Sequence, residues 1–428
     1  MGGLKRPPIA FPGPVRLRYG VAMQGALRIP AVLTVPAFRR VWIGSVLSNG
    51  GTWFQAVAAG WLVLQITGSA TMVGLLALAY RAPAFVLSTW GGKLADRYDW
   101  RRVGLITFSV ESAGALVLAG LAFAGQLSVA AIFIATTVMG AAFAVGLPSV
   151  LALVPALVPT ARLQEAVALN AAGINVARAV GPILGGVVLA FAGASWCFLV
   201  NALSFMALVI ALLLSPHVAQ GSKVPAALAD ALRYAATDRA ARRLLTGMFL
   251  FMLFAGPIQE LAPVVARRLG GGPVALGVIL GGMGAGALLG AWLLQTLSGR
   301  GLPRYLALPI ATLAFGGALG VVAASPFLWL TVIGMLAAGA FWIWILTLTN
   351  TAIQLSSPSE LLGRMLGFYQ LSVITPIALG SVAFGAVAGA IGIGWSLGVA
   401  ALCLLAWGAW TIMHPVPDID RDIRSIRS

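Results

Sequence analysis

The sequence predicts an all-α membrane protein of twelve transmembrane helices, arranged as two similar halves. Three observations carry that expectation. Apolar and aromatic residues fill 60% of the 428 positions and charged residues only 9%, more apolar surface than a soluble chain of this length can hide. Apolar runs of spanning length, ~20 residues, recur with short polar breaks. A single offset of 199 positions brings the second half into register with the first.

Taken in order, residues 1–40 form a Pro-rich basic tail containing Lys5, Arg6, Arg16, Arg18, Arg28, Arg39 and Arg40. It lacks an apolar core followed by a small-residue cleavage site, so it does not read as a signal peptide. It suits the surface of an anionic bilayer. Spans are expected near 41–66, 71–91, 103–124, 128–157, 166–192 and 196–214. After a polar connector at 215–243 they resume near 244–266, 273–297, 305–324, 326–354, 365–390 and 394–413. Within the connector, 225–240 reads as a surface helix. The domain boundaries follow: tail 1–40, a six-helix bundle 41–214, linker 215–243, a second six-helix bundle 244–413 and a tail 414–428.

Orientation follows from Lys and Arg. Alternation puts 23 of the 27 on one side of the bilayer. Only Arg267 and Arg268 fall in loops of the other side, and Arg81 and Arg178 lie within spans. The prediction is a multi-pass protein of a bacterial cytoplasmic (inner) membrane with both termini cytoplasmic. The same asymmetry accounts for the net charge of +16 and removes the reason to invoke nucleic acid. Cys197 and Cys403 lie in apolar runs, and His217 and His414 sit beyond helix ends with no ligand cluster. No metal, no cofactor and no enzyme activity are expected.

The internal repeat is carried by residues with special backbone or packing roles. The offset places Gly91 on Gly290, Gly140 on Gly339, Pro159 on Pro358, Gly181 on Gly380 and Gly186 on Gly385. It also places Gly193 on Gly392 and Trp196 on Trp395. With six spans per half the repeat is parallel, a plan in which a central site lies between two bundles.

The loop after the second expected span reads Gly92-Lys93-Leu94-Ala95-Asp96-Arg97-Tyr98-Asp99-Trp100-Arg101-Arg102. It resembles the cytoplasmic signature of the major facilitator superfamily, and Asp99 resembles its macrolide-efflux and siderophore-export branch. Trp100 departs from the basic residue usual there. The resemblance implies the major facilitator fold and a gate in which Gly92, Asp96, Arg97, Arg101 and Arg102 close the cytoplasmic face, the arginines holding carboxylates of the other half. The fifth span, with Gly181, Pro182, Gly185 and Gly186, resembles the exporters' glycine motif, with Ala177 at its first glycine position. That implies a role in sealing the outward side, and small residues at this spacing also serve close helix packing. The Arg-x-x-Gln-Gly of many proton-coupled exporters is represented only by Gly140, after Thr136, Thr137, Val138 and Met139.

Four ionisable residues remain within spans: Arg81, Glu111, Arg178 and Glu260. Each costs about 2.5–3.5 kcal/mol at the bilayer centre unless paired or hydrated, so all four are candidates for proton coupling. Counted from the cytoplasmic side, Arg81 and Glu111 lie at roughly 15 and 12 Å depth, which predicts an ion pair between them. Arg178 and Glu260 fall at roughly 20 and 24 Å. Glu260 follows Gly256-Pro257, where the helix loosens, and is the leading coupling carboxylate, with Arg178 as modulator. The competing reading pairs Glu260 with Arg267 or Arg268.

Asn49, Trp53, Gln55, Thr137, Asn175, Phe254, Gln259, Trp342, Trp344 and Asn350 are the predicted cavity wall. Aromatic faces with scattered amides suit a bulky amphipathic ligand, cations included. The resemblance therefore implies a monomeric exporter of drug-, macrolide- or siderophore-type small molecules by proton antiport. Its partners would be that substrate, protons and the lipid bilayer. An importer or facilitator of the same fold, and a non-transporting scaffold or sensor, are the alternatives.

Overall fold

The computed structural model describes residues 30–85, 87, 99–216, 228–298, 304–358 and 360–414, and the regular structure among them is entirely helical. Before the connector come α1 (Pro36–Thr67), α2 (Ala70–Arg81), α3 (Trp100–Phe123), α4 (Val129–Ala156), α5 (Leu163–Phe191) and α6 (Ala194–Leu213). The connector holds α7 (Leu228–Thr237). After it come α8 (Arg239–Ala255), α9 (Pro257–Glu260), α10 (Ala262–Arg268), α11 (Pro273–Ser298) and α12 (Arg304–Ala324). The chain closes with α13 (Leu328–Ser356), α14 (Leu362–Ile391) and α15 (Ile393–Met413).

Among the described residues ten helices are long and apolar enough to cross a bilayer, two fewer than the expected twelve. The shortfall is at the start of the chain. α1 is 32 residues long, but Ser45, Ser48, Asn49, Thr52 and Gln55 dilute its apolar character. The second apolar stretch is described only over Ala70–Phe85, short of spanning length.

Short turns alternate between two ends of the molecule. One end carries Gly68, Gly125, Gly193, Gly270 and Gly392, all at positive φ. The repeat mates Gly193 and Gly392 have φ of 90° and 89°, a conformation that a Cβ would strain. Their neighbours Trp196 and Trp395 are both exposed, as interfacial tryptophans are. The other end carries side-chain caps. Asp99 accepts from the Arg101 N–H at 2.9 Å and Asp238 from the Ala241 N–H at 2.7 Å, each satisfying a donor that a helix start leaves free.

Helices before the connector pack chiefly on one another, as do those after it. The two sets meet along two seams, α5 with α11 and α2 with α14. Small residues make both. A Cβ at Gly186 would lie 2.5 Å from the Pro273 carbonyl oxygen, and one at Gly277 would lie 2.5 Å from that of Pro182. In the other seam a Cβ at Gly385, the repeat mate of Gly186, would lie 2.9 Å from the Ala70 carbonyl oxygen. Gly74 sits tighter still on the Ser381 carbonyl. Both seams are closed towards the glycine-turn end.

Candidate functional site

The seventh apolar run is not one helix. Pro257 and Pro263 have no N–H to donate and stand in the first turns of α9 and α10. Between these helices Leu261 adopts φ −90° and ψ 8°. Pro257 releases the Leu253 carbonyl from its helical donor, and Gly380 of α14 packs directly onto that carbonyl. The break leaves Glu260 as the last residue of a four-residue helix.

Glu260 is paired with Arg81. The Glu260 Oε1 accepts from the Arg81 Nη2 at 2.5 Å, and each side chain is 20% exposed. Arg81 is the last residue of α2, so the bond joins α2 to the broken α8–α10 run from the other side of the connector. The turn that carries Arg81 is clamped from behind. Gly140 of α4 lies on the Tyr80 backbone carbonyl, closer than any side chain would allow, and the Tyr80 ring packs on Phe143 at 5.8 Å. Among the described residues the buried Arg81 Nε has no hydrogen-bond partner.

This pairing corrects the sequence-based expectation. Arg81 bonds Glu260, not Glu111. Glu111 is 1% exposed, and among the described residues its Oε1 has no hydrogen-bond partner. It sits beside Ser112, which donates to the Ala202 carbonyl of α6 at 2.9 Å, on the face of α3 that packs within its own half. Equal depth was the wrong criterion because depth was counted from the far end, across the break at 256–261. Counted from the glycine turns, Arg81 and Glu260 lie at ~16 and ~12 Å, and an arginine side chain spans the difference. The competing partners of Glu260 are engaged elsewhere. Arg268 donates to the carbonyls of Val322, Ala323 and Ser325 at 2.8–2.9 Å, and Arg267 reaches that of Leu64 at 3.4 Å.

Arg178 lies on α5 within electrostatic range of Arg81. Among the described residues its guanidinium makes no hydrogen bond or ion pair. The glycine motif one turn further on divides its contacts. Gly181 and Gly185 face Trp53 and Phe54 of α1, whereas Pro182 and Gly186 face Gly277 and Pro273 of α11. Of the gate residues, Gly92, Asp96 and Arg97 lie outside the described residues. Arg101 donates to the carbonyls of Leu212 and Leu213 at 2.7 and 2.5 Å, capping α6 of its own half. Arg102 is exposed on the first turn of α3.

The predicted cavity residues divide into two groups. Gln55 and Trp342 are core residues, contrary to expectation. Gln55 is 7% exposed, accepts from the Asn201 amide at 2.7 Å and donates to the Met139 sulfur at 3.1 Å. Trp342 is 5% exposed and packs on Phe251 and Phe315 with ring centres 5.8 and 6.1 Å away. The others are at least partly open. Asn49, Asn175 and Thr137 bond carbonyls of their own helices, and Asn350 accepts from Gln354. Trp344 donates to the Gly290 carbonyl at 2.6 Å. Phe254 meets Phe384 edge-on at 5.9 Å, and Gln259 is half-buried beside Glu260. Sequence reasoning missed Tyr80 and the Asn201–Ser204 turn that completes the network around Gln55. An asparagine inside the apolar run 196–214 was the available signal. A separate crevice at the start of α8, lined by Met248, Phe251, Leu308, Thr312, Trp407 and Trp410, contains none of the predicted wall.

Residues 30–427 match the family described as transmembrane secretion effector. The chain belongs to this family of major facilitator superfamily transporters. Enterobactin exporter EntS of Salmonella typhi is 27% identical over 369 residues, covering 84% of this chain and 87% of that protein. Enterobactin exporter EntS of Citrobacter koseri is 28% identical with the same coverage. Among solved structures, a POT family transporter in complex with a thioalcohol-conjugated peptide superposes with a TM-score of 0.73 at 12% identity, over 90% of this chain and 96% of that one. An inward-facing bacterial homologue of the iron transporter ferroportin superposes with a TM-score of 0.69 at 16% identity, over 88% and 98%. At these identities the structural likeness establishes the fold. The secretion effector chain is thus a multi-pass membrane transporter of the efflux type.

Proposed function

We propose that this chain exports siderophore-type or other bulky amphipathic small molecules across the bacterial inner membrane by proton antiport. The observation that carries the reading is the Arg81–Glu260 ion pair. It is an ionisable contact deep in the apolar region, placed where α2 and the broken α8–α10 run meet across the two halves. Protonating Glu260 removes one charge of the pair and with it the electrostatic tie between the halves. Releasing that proton restores the carboxylate and with it the tie. Proton binding thereby acts on the equilibrium between closed and parted seams. One proton falling through ~150 mV supplies ~3.5 kcal/mol, a concentration ratio of several hundredfold. One carboxylate therefore suffices.

The arrangement we infer is twelve transmembrane helices in two six-helix bundles, 41–214 and 244–413, with α1 and the second apolar stretch completing the first bundle. The linker 215–243 and both tails, 1–40 and 414–428, lie in the cytoplasm, and the transporter works as a monomer. With this orientation the glycine-turn end faces outward, and its two closed seams belong to a state open inward. The residues predicted for the gate, Gly92, Asp96, Arg97, Arg101 and Arg102, close the opposite face in the alternate state. The half-buried members of the predicted wall line the path. The relatives named as enterobactin exporters favour an exported siderophore.

The test uses inverted inner-membrane vesicles carrying a respiration-driven pH gradient. Adding enterobactin should dissipate part of the gradient and drive its accumulation in vesicles containing the transporter. Accumulation that persists after an uncoupler removes the gradient would refute antiport.

A further inference from the structure

Arg178 is a cation for which the pair at Glu260 leaves no counter-charge. On α5, at 100° per residue, the positions facing α1 (Gly181, Gly185) and those facing α11 (Ala179, Pro182, Gly186) flank position 178 on either side. Val176, Val180, Leu184 and Val187, all exposed, lie on the opposite face and meet lipid. The Arg178 side chain therefore leaves the helix towards the space between α1 and α11, not towards lipid. Its backbone is held in register there, because a Cβ at Gly284 of α11 would lie 2.6 Å from the Arg178 carbonyl oxygen. The side chain is half-buried, unpartnered among the described residues and within electrostatic range of a second arginine. Glu260 is already committed to Arg81. Glu111, the other acid of this region, is sealed within the packing of α3. A fixed cation in a low-dielectric cleft is a costly arrangement unless something of opposite charge visits it.

We propose that Arg178 anchors an anionic group on the exported molecule: a carboxylate, phenolate, sulfonate or phosphate oxygen taken by the planar guanidinium. This rests on reading the cleft as the substrate path, and it names the charge class of the substrate. It departs from the cationic option that the aromatic wall leaves open. A planar donor fork suits a two-oxygen anion, and the neighbouring Arg81 adds to the field that draws it in.

Two fluorescent twins test this, dansylglycine with its carboxylate and dansylglycinamide without it. Binding is read by energy transfer from the protein's tryptophans in lipid nanodiscs, in chloride and in gluconate buffer. The wild type should bind the anionic twin at least tenfold tighter than the neutral one in both buffers. Arg178→Gln should erase that preference while leaving the neutral twin's affinity within twofold, which also reports an intact fold. Arg178→Lys should keep part of the preference. A wild type without charge preference, or a preference surviving in Arg178→Gln, overturns the anchor. A preference seen only in gluconate assigns the site to inorganic chloride and overturns it equally. Charge-selective binding in proteoliposomes that transport neither twin would instead count against the transport path, leaving the anchor standing.

Discussion

Substituting Gly277 by alanine should bias the protein towards the state in which the α5–α11 seam is parted. The new Cβ would lie 2.5 Å from the Pro182 carbonyl oxygen and 3.2 Å from the Cα atoms of Gly186 and Ile183. Ordinary contact begins near 3.4 Å, so the seam must open by about 0.9 Å at that carbonyl. All three obstructing atoms belong to backbone, which cannot swing aside as a side chain would. Overpacking of this kind costs about 1–3 kcal/mol. Alanine's advantage over glycine within a helix, about 1 kcal/mol, applies to parted and closed seams alike and cancels. A differential cost of ~2 kcal/mol shifts the population about thirtyfold. Spin labels at Gln126 and Pro326, both exposed at the glycine-turn end on opposite sides of the connector, report the change by pulsed electron resonance in nanodiscs, with Cys197 and Cys403 replaced. Gly277→Ala should move the distance distribution to longer values. Gly317→Ala, whose Cβ meets nothing within 4 Å, should not move it. An unchanged distribution in Gly277→Ala would refute the view that this contact holds the seam closed.

Three further outcomes follow from the same geometry. Arg81→Gln and Glu260→Gln should each destabilise the folded protein more than the double substitution does, with a coupling of ~2 kcal/mol for a pair one-fifth open to solvent, measured by thermal unfolding in detergent; additive losses would count against the pair. Gln55→Leu should cost about 1–3 kcal/mol by stranding the Asn201 amide and should leave substrate preference unchanged. A shift in preference would return Gln55 to the cavity wall. Reporter fusions after residues 125, 193 and 325 should read external and those after 98, 230 and 300 cytoplasmic; reversal at two of these sites would overturn the orientation.

Features set by local chemistry were legible in the sequence. The apolar runs from 103 onwards, the broken one at 244–266 apart, lie within a few residues of the observed helices, and several are bounded by a turn glycine or a capping aspartate. The repeat was legible too. Gly186 and Gly385 occupy matching places in the two seams, and Gly140 and Gly339 each pack on a backbone carbonyl of a neighbouring helix, those of Tyr80 and Met283. The partner of Arg81 was not legible. Depth along a helix is one coordinate, and pairing also needs the direction a side chain leaves its helix, which depends on packing angles that no periodicity reports. Glu111 and Glu260 looked alike as isolated acids in apolar runs. What separates them is the break at Pro257–Pro263, which turns Glu260 to the seam, and the Ser112 contact with α6, which marks the packed face of α3. Gln55 and Trp342 failed as cavity residues for the same reason. An amide or an indole fills a bundle interior as readily as a cavity wall when a partner such as Asn201 or Phe315 is at hand.

The most direct test of the account is proton-driven transport by Glu260→Gln in proteoliposomes supplied with enterobactin from outside. With an imposed pH gradient, wild-type vesicles should concentrate the substrate. Glu260→Gln should fail to do so while retaining substrate binding and exchange across the membrane in the absence of a gradient, because glutamine keeps the shape of the site and loses only its proton. A Glu260→Gln protein that still builds a substrate gradient from the proton gradient would contradict the assignment of coupling to the Arg81–Glu260 pair.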